Sequence, residues 1–252
     1  GGMPSLQDLE KPESELSSEL YSSDNKLLGK YFRYNRSPVK FNELSDELVT
    51  TLLVTEDIRF YEHSGIDLKG LVRASYGVLK NVATFGSSGL EGGGSTITQQ
   101  LAKNLFKIRR EKKGKLSGVP FLGLIISKVK EWIVAVKLEE FYTKKEILAM
   151  YLNTAEYGSN SYGIKVAAKT YFNKLPSELN YNESSIIVGL LNKPTKYNPY
   201  FNPDNAVEKR AEIFYNLFKY NIVDQTAYDS LKMMGLELSY KVENQNVGQA
   251  TY

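Results

Sequence analysis

The segment EDIRFYEHSG, from Glu56 to Gly65, places two adjacent carboxylates, an aromatic ring and the chain's single histidine beside a glycine. A glutamate held against Phe60 and partly withdrawn from water has its charged form disfavoured, which makes it a better proton acceptor at neutral pH. The segment therefore predicts Glu56 as a general base. A structural alternative is that Glu56 and Asp57 cap a helix end and form ion pairs, while His63 packs inside.

A second set of polar side chains lies on GGGSTITQQLAKNLF, residues 92–106, where Ser95 is a good N-cap for a following helix. A helix turns by about 100° per residue, so four side chains fall within an arc of about 100°: Thr96, Gln99, Gln100 and Lys103. A row of hydrogen-bond donors with one cation suits a phosphate or sugar ligand. The alternative is an ordinary solvated face, although such faces use Glu and Lys more often than Thr and Gln.

A third candidate is Glu131, in the segment SKVKEWIVAVKLEEF at residues 127–141. The stretch 132–136 is apolar on all sides, which predicts a buried helix. Glu131 shares a face of that helix with Ala135 and Leu138, and Lys128 lies one turn before it. A half-buried glutamate with a cationic neighbour is either functional or half of a structural ion pair.

Positive charge is concentrated in residues 101–130, which hold nine Lys and Arg residues against one acidic residue, Glu111. The balance there is +8 in a chain of net charge +3, so the rest of the chain carries −5. Such a patch attracts the phosphates of a lipid headgroup, a pyrophosphate or a nucleic acid, whereas residues 107–115 are also consistent with a solvated basic loop. The neighbouring apolar segment, residues 119–126, is too short to span a membrane but could enter its interface or pack in the core.

The amino-acid composition excludes several kinds of catalytic and metal site and indicates the general class of protein. The chain has 252 residues, 42% of them hydrophobic, with no cysteine and one histidine. It therefore has no thiol nucleophile or cysteine zinc site, and any Ser-His-Asp triad or histidine metal site must use His63. Size and hydrophobicity predict a folded globular protein of one large or two small domains. Because no run of about 18 apolar residues occurs, neither a spanning helix nor a signal peptide is predicted.

The elements that position these side chains are predicted to be mainly α-helical. Apolar periodicity predicts one helix after a cap at Ser45, one at 68–82 and one after Ser95. Further helices are predicted at 127–142, 144–153, 163–172, 183–191, 205–220 and 224–234. A Ser-Asp-Asn turn at 23–25 predicts a small β-hairpin, and 85–94 is predicted to be a flexible Gly/Ser loop.

Five segments, taken in order, resemble the motifs of the peptidoglycan glycosyltransferase domain of class A penicillin-binding proteins and monofunctional transglycosylases, glycosyltransferase family 51. They are EDIRFYEHSG, GGSTITQQLAKNLF, KVKEWIVAVKLE, KKEILAMYLNTAEYGSNSYGIKVAAKTYF and IIVGLLNKPTKYNP. The resemblance covers residues 20–236. It implies a lysozyme-like α-helical lobe and a smaller mobile membrane-proximal jaw at roughly 83–127, in addition to the short N-terminal β-hairpin predicted from the turn at 23–25.

The resemblance implies the polymerisation of lipid II. The 4-hydroxyl of an acceptor lipid II attacks the anomeric carbon of a lipid-pyrophosphate-linked donor chain, which inverts that carbon, forms a β-1,4 linkage and releases undecaprenyl pyrophosphate. Such a reaction needs a base and cationic stabilisation of the pyrophosphate. The resemblance also implies three kinds of partner: an anionic membrane surface at the outer face of the bacterial cytoplasmic membrane, moenomycin-type inhibitors that bind the site, and a divalent cation such as Mg²⁺ or Mn²⁺. No organic cofactor is expected.

The motif resemblance implies roles for the candidate side chains, residue by residue. Glu56 matches the catalytic base, and Glu131 matches a second functional glutamate that positions the leaving group through a divalent ion or neighbouring cations. Residues expected to bind pyrophosphate or sugar-phosphate are Arg73, Ser95, Thr96, Gln100, Lys103, Lys128 and Lys130. Residues expected to support the site are Asp57, Phe60, His63, Gly65 and Asn153.

The chain departs from the family pattern at two motif positions. Ser127 stands where an arginine commonly precedes the third-motif lysine, and Ala149 stands where the fourth motif usually has a glutamate. The segment between the second and third motifs is also longer than usual. The family's additional basic residue is therefore left unassigned among Arg109, Arg110 and Lys112.

Both ends of the chain are expected to lie outside the catalytic domain at 20–236. Residues 1–19 are interpreted as a tag remnant followed by an acidic linker, and residues 237–252 as the start of a linker to a transpeptidase domain. A fused transpeptidase domain and a transmembrane anchor are therefore expected in the full-length protein.

Two other functions stay open on the sequence. A lysozyme-like hydrolase or lytic transglycosylase also uses a glutamate on a helical lobe, but it creates no pyrophosphate for Lys103, Lys128 and Lys130 to bind. A catalytically inactive module that binds lipid II or anionic membranes is kept open by Ser127 and Ala149. Nucleic acid is not an expected partner, because no recognition motif accompanies the basic residues.

Overall fold

The computed structural model of the chain describes residues 18–21, 27–31, 38–73, 94–106 and 120–241. These residues are mainly α-helical, as predicted. The helices are α1 (Asp46–Glu56), α2 (Ile97–Phe106), α3 (Pro120–Phe141), α4 (Lys144–Thr154), α5 (Ile164–Phe172), α6 (Tyr181–Asn192), α7 (Pro203–Lys219) and α8 (Gln225–Met233). Residues 68–73 are also helical, and short 3₁₀ turns span Phe41–Glu43, Phe60–Glu62 and Pro176–Glu178.

The predicted N-terminal hairpin is formed by β1 (Ser18–Tyr21) and β2 (Leu27–Tyr31), which pair antiparallel. Ser18 lies opposite Tyr31, and the register shifts between Leu20 and Tyr21. The predicted turn at 23–25 lies outside the described residues, as do 83–93 and 107–119 of the predicted jaw, which include the basic loop. Within the described ranges, no helix combines the length and apolar character needed to cross a membrane.

Three predicted helix starts were too late, and each observed start has a recognisable cause. Helix α3 begins at Pro120 rather than 127, since proline at the first helical position lacks only an N–H that would have no partner there. Helix α6 begins at Tyr181, where Asn180 and Glu183 form a reciprocal capping box with bonds of 3.0 and 3.1 Å. Helix α7 begins at Pro203 for the same reason as α3.

The chain divides into two compact units, and the first comprises the described residues between 55 and 151. In this unit α2 packs against α3. Fully buried core residues are Ile97, Leu101, Ala135, Leu138 and Leu148. The prediction that 132–136 is buried on all sides is wrong, because Ile133 is 39% exposed on the face of α3 away from this core.

The second unit comprises the described residues at 18–54 and 152–241. Here α6 packs on α7, and α7 packs on α8. Its fully buried residues include Ile187, Leu190, Ile213 and Leu217. Arg210 on α7 is also buried, and its guanidinium donates to the Asn182 side chain and to the carbonyls of residues 234 and 235, which secures the chain after α8.

Candidate active site

Glu56 is the last residue of α1, and a side chain of α2 holds its half-buried carboxylate. Gln100 Nε2 donates to Glu56 Oε2 at 2.8 Å. Tyr151, on α4, donates through its hydroxyl to Gln100 Oε1 at 3.0 Å. A hydrogen bond from an amide fixes the direction of the carboxylate that accepts it. Helix α2 therefore orients the candidate base.

Asp57 follows α1 directly and is tied to two neighbours. Both carboxylate oxygens lie 3.1 Å from His63 Nε2, and Oδ2 also accepts the Ile97 N–H at 3.0 Å. Asp57 therefore caps the N-terminus of α2, where a negative charge is favourable. The side chains of Asp57 and His63 are only 3% and 7% exposed, so this pair fastens the loop at 57–65 to α2.

Gly65 lies where this loop approaches α3 most closely. Its φ is +85°, and a Cβ there would lie 2.8 Å from the carbonyl carbon of Ala135. The carbonyl of Gly65 accepts Thr96 Oγ1 at 2.8 Å and Gln99 Nε2 at 3.2 Å. The predicted polar arc of α2 is therefore divided: Thr96 and Gln99, both buried, bind the loop backbone, whereas Gln100 binds Glu56.

Replacing Gly65 with alanine is expected to lower the free energy of unfolding by about 2–4 kcal/mol, because the new Cβ meets backbone in a conformation that L side chains rarely adopt. Urea unfolding measures the change. Gly189→Ala in α6 is the matched control, because its Cβ would meet the flexible side chain of Lys209 and alanine favours a helix. Equal stability of the two variants would contradict the close approach.

A second polar group joins α3 to the segment that leads into α2. Lys128 Nζ donates to Glu131 Oε2 at 2.7 Å and to Ser95 Oγ at 2.8 Å. The predicted ion pair is thus present, and Glu131 shares its buried face with Ala135 and Leu138 as expected. An ammonium has three N–H donors, so these described partners engage two of the three on Lys128.

The other predicted residues are distributed more widely. Lys103 and Lys130 are half-buried on α2 and α3, and Arg73 is exposed at the end of the described range 38–73. Asn153 lies in the second unit, where its side chain bonds the N–H and the carbonyl of Val39 at 2.9 and 2.8 Å. Those contacts hold the chain that precedes α1.

Lys144, the first residue of α4, was not predicted to have a role, yet its ammonium binds the loop at 57–65 and holds it in place. Its Nζ donates to the His63 carbonyl at 2.6 Å and to Glu139 Oε1 at 2.8 Å, and it lies 4.3 Å from the centroid of the Phe60 ring. Thr98 donates to the same Glu139 oxygen at 2.6 Å. Phe60, a predicted supporting residue, therefore packs under the Lys144 ammonium.

An ion pair between Arg59 and Asp67 closes the far end of this loop, and Asp67 Oδ1 also accepts the Gly70 N–H at 2.9 Å. Burial raises the pKa of Asp67, but the Arg59 guanidinium and the Gly70 N–H outweigh it and hold that pKa below its ordinary value. The pair therefore adds stability at neutral pH and loses that contribution as the pH falls through the lowered pKa.

The expected divalent cation has no ready-made protein site in the part of the chain that the structure describes, where no three His, Asp or Glu side chains cluster. One oxygen of Glu131 is bound to the Lys128 ammonium. Lys128 and Glu131 are therefore better suited to binding a phosphate through the lysine ammonium than to binding a metal ion through protein ligands alone.

Comparisons with known proteins agree with the motifs. The family model described as Transglycosylase matches residues 24–218. Penicillin-binding protein 1A of Pseudomonas aeruginosa is 32% identical over 241 residues, covering 96% of this chain and 27% of that protein. Penicillin-binding protein 1F of Bacillus subtilis is 36% identical over 197 residues, covering 78% and 25%. The crystal structure of penicillin-binding protein 1A from Haemophilus influenzae is similar with a TM-score of 0.47 and 20% identity, covering 91% of this chain and 22% of that one.

The chain spans about a quarter of the length of the curated relatives it matches. The family model covers all five motif segments quoted from the sequence. The family predicted from those motifs is confirmed, and this chain belongs to the transglycosylase family of glycosyl-transferring enzymes.

Proposed function

We propose that this chain is a peptidoglycan glycosyltransferase that polymerises lipid II into β-1,4-linked glycan strands and releases undecaprenyl pyrophosphate. The main support is that one compact unit holds both groups that the reaction needs. These are an oriented carboxylate, that of Glu56, and an ammonium fixed by a buried glutamate, Lys128 with Glu131. Family membership supports the same reaction.

In this proposal Glu56 is the general base. Gln100 holds Oε2, and we assign Oε1 to the proton of the acceptor 4-hydroxyl. As that proton moves to Glu56, the hydroxyl oxygen bonds to the anomeric carbon of the donor. The bond from this carbon to the pyrophosphate oxygen breaks, its electron pair leaves with the pyrophosphate, and the carbon inverts without a covalent enzyme intermediate.

Lys128 stabilises the charge that develops on the departing pyrophosphate. Its bonds to Ser95 and Glu131 orient the ammonium before the substrate binds. Because Glu131 is 1% exposed, it is assigned to positioning Lys128 and not to direct contact with the pyrophosphate. Further phosphate ligands are proposed to be Arg73, Lys103 and Lys130.

Incubation of the protein with purified lipid II, a divalent cation and detergent tests this function. The expected product is glycan polymer, detected by gel and mass spectrometry. Release of fragments from preformed peptidoglycan, with no polymer from lipid II, would indicate a hydrolase or lytic transglycosylase. Binding of lipid II without turnover would indicate an inactive binding module.

We also propose that the first unit binds an anionic membrane surface, at the outer face of the bacterial cytoplasmic membrane. Leu68 and Val72 are each 71% exposed on the helical stretch 68–73, beside the exposed cations Lys69 and Arg73. Further exposed apolar side chains on α3 are Ile126, Val129 and Ile133. Apolar side chains beside cations favour the interface of an anionic bilayer.

Replacing both Leu68 and Val72 with serine is expected to weaken binding to phosphatidylglycerol vesicles about tenfold or more, since each apolar side chain contributes roughly 1 kcal/mol when it enters the interface. Co-sedimentation measures the change. Met233→Ser is the matched control, because Met233 is 90% exposed but belongs to the second unit. Equal weakening by the control, or equally strong binding to neutral vesicles, would contradict the proposal.

Other expectations stay predictions. They are a requirement for Mg²⁺ or Mn²⁺, the binding of moenomycin-type inhibitors, and a transpeptidase domain and transmembrane anchor in the full-length protein.

A further inference from the structure

Tyr151 is an almost completely buried residue of α4, at 2% exposure. Its hydroxyl donates to Gln100 Oε1 at 3.0 Å, and Gln100 Nε2 donates to Glu56 Oε2 at 2.8 Å. All three residues belong to the first unit. A continuous chain of hydrogen bonds therefore joins a buried phenol to the candidate base.

The two ends of the Gln100 amide differ in hydrogen-bonding character, because the oxygen accepts and the nitrogen donates. A carboxylate only accepts, so Glu56 needs the nitrogen end. The phenol of Tyr151 donates to the oxygen end, so partners on two other helices select the same orientation of the amide. Without the phenol hydroxyl, one of these two bonds is lost and the amide gains rotational freedom.

We infer that Tyr151 is a positioning residue for the general base, and that it acts through Gln100 to hold the Glu56 carboxylate in the direction that proton transfer requires. This inference rests on the proposed function, since it takes Glu56 as the base. Proton transfer depends steeply on the distance and direction between the two groups. A looser carboxylate therefore slows the chemical step and leaves the binding of lipid II unchanged.

The Tyr151→Phe substitution tests the inference, because it removes one oxygen and keeps the ring. We expect kcat to fall about five- to twentyfold, while KM for lipid II changes by less than about twofold. Tyr157→Phe is the matched control: Tyr157 is also fully buried, and its hydroxyl donates to the Leu152 carbonyl at 3.1 Å in the second unit. Both variants lose a buried hydroxyl contact, so a similar fall in melting temperature is expected in both, with a fall in kcat only in Tyr151→Phe.

A double-mutant cycle with Gln100→Ala shows whether the effect passes through the amide. In the Gln100→Ala background, Tyr151→Phe is expected to cause no further fall in kcat. An equal fall with and without Gln100 overturns the inference, as does an unchanged kcat in the single variant.

An NMR measurement distinguishes failure of this inference from failure of the proposed function, because it needs no substrate. In ¹⁵N-labelled protein, the side-chain NH₂ signals of Gln100 are identified by their loss in Gln100→Ala. We expect these signals to shift and to exchange faster with water in Tyr151→Phe but not in Tyr157→Phe. If they shift while the wild type forms no polymer, the proposed function fails and the positioning contact stands. If they do not change in Tyr151→Phe, the inference fails whatever the activity.

Discussion

Glu56→Gln is expected to lower the rate of glycan polymerisation by about 10²- to 10⁴-fold, because a carboxamide does not take the proton of the attacking hydroxyl. The substitution is nearly isosteric. The new carbonyl oxygen still accepts the Gln100 N–H that Glu56 accepts at 2.8 Å, so the orientation of the side chain is retained. Lipid II binding and the melting temperature are therefore expected to stay close to those of the wild type.

Polymer formed from purified lipid II, followed by gel over time, measures this effect. Glu62→Gln is the matched control, since Glu62 is an exposed carboxylate in the 3₁₀ turn of the same loop, and its rate is expected to stay within about twofold of the wild type. Substantial polymerisation by Glu56→Gln would mean that another group takes the proton. Asp57 is poorly placed for that role, because its carboxylate oxygens bind His63 Nε2 and the Ile97 N–H.

Local sequence patterns account for several of the described helices. Apolar periodicity placed α4, α5 and α8 within one residue of their observed bounds, because the apolar side chains that a helix packs against its neighbours repeat in sequence. The starts of α6 and α7 were predicted two residues late, because apolar periodicity does not include the residues that begin a helix. These are the capping box of Asn180 with Glu183 and the proline at position 203. The start of α3 was predicted too late because proline ends helices as well as starting them, and the sequence pattern alone does not show that Pro120 is the first helical residue.

The polar arc of α2 shows what a helical projection leaves undecided. Spacing predicts that Thr96, Gln99, Gln100 and Lys103 share one arc of the helix. Which partner each side chain binds depends on residues that are far away in the sequence. The Gly65 carbonyl, 31 and 34 residues away, takes the first two, and Glu56, 44 residues away, takes the third. Tyr151 lies 51 residues from its partner Gln100, so its contribution also depends on tertiary packing that no local pattern encodes.

Lys128→Met is expected to lower the rate of polymerisation by about 10²- to 10³-fold, because the departing pyrophosphate loses an oriented ammonium. The same change removes the cation paired with Glu131, whose side chain is 2% exposed, whereas that of Lys128 is 34% exposed. Loss of a cationic partner from a carboxylate that is nearly buried costs about 2–3 kcal/mol of stability. The single variant therefore combines a chemical effect with a structural one.

Adding Glu131→Gln separates these two effects, because a neutral amide does not need a cationic partner in the interior. The double variant is expected to recover most of the melting temperature of the wild type while its rate stays as low as that of Lys128→Met. Glu131→Gln alone is expected to lower the rate of polymerisation by only about tenfold, because its amide oxygen still accepts a hydrogen bond from the Lys128 ammonium. Lys137→Met, on the same helix, is the control for loss of a lysine from α3. If the double variant recovered its rate together with its stability, Lys128 would act through the fold, and other cations would have to stabilise the pyrophosphate.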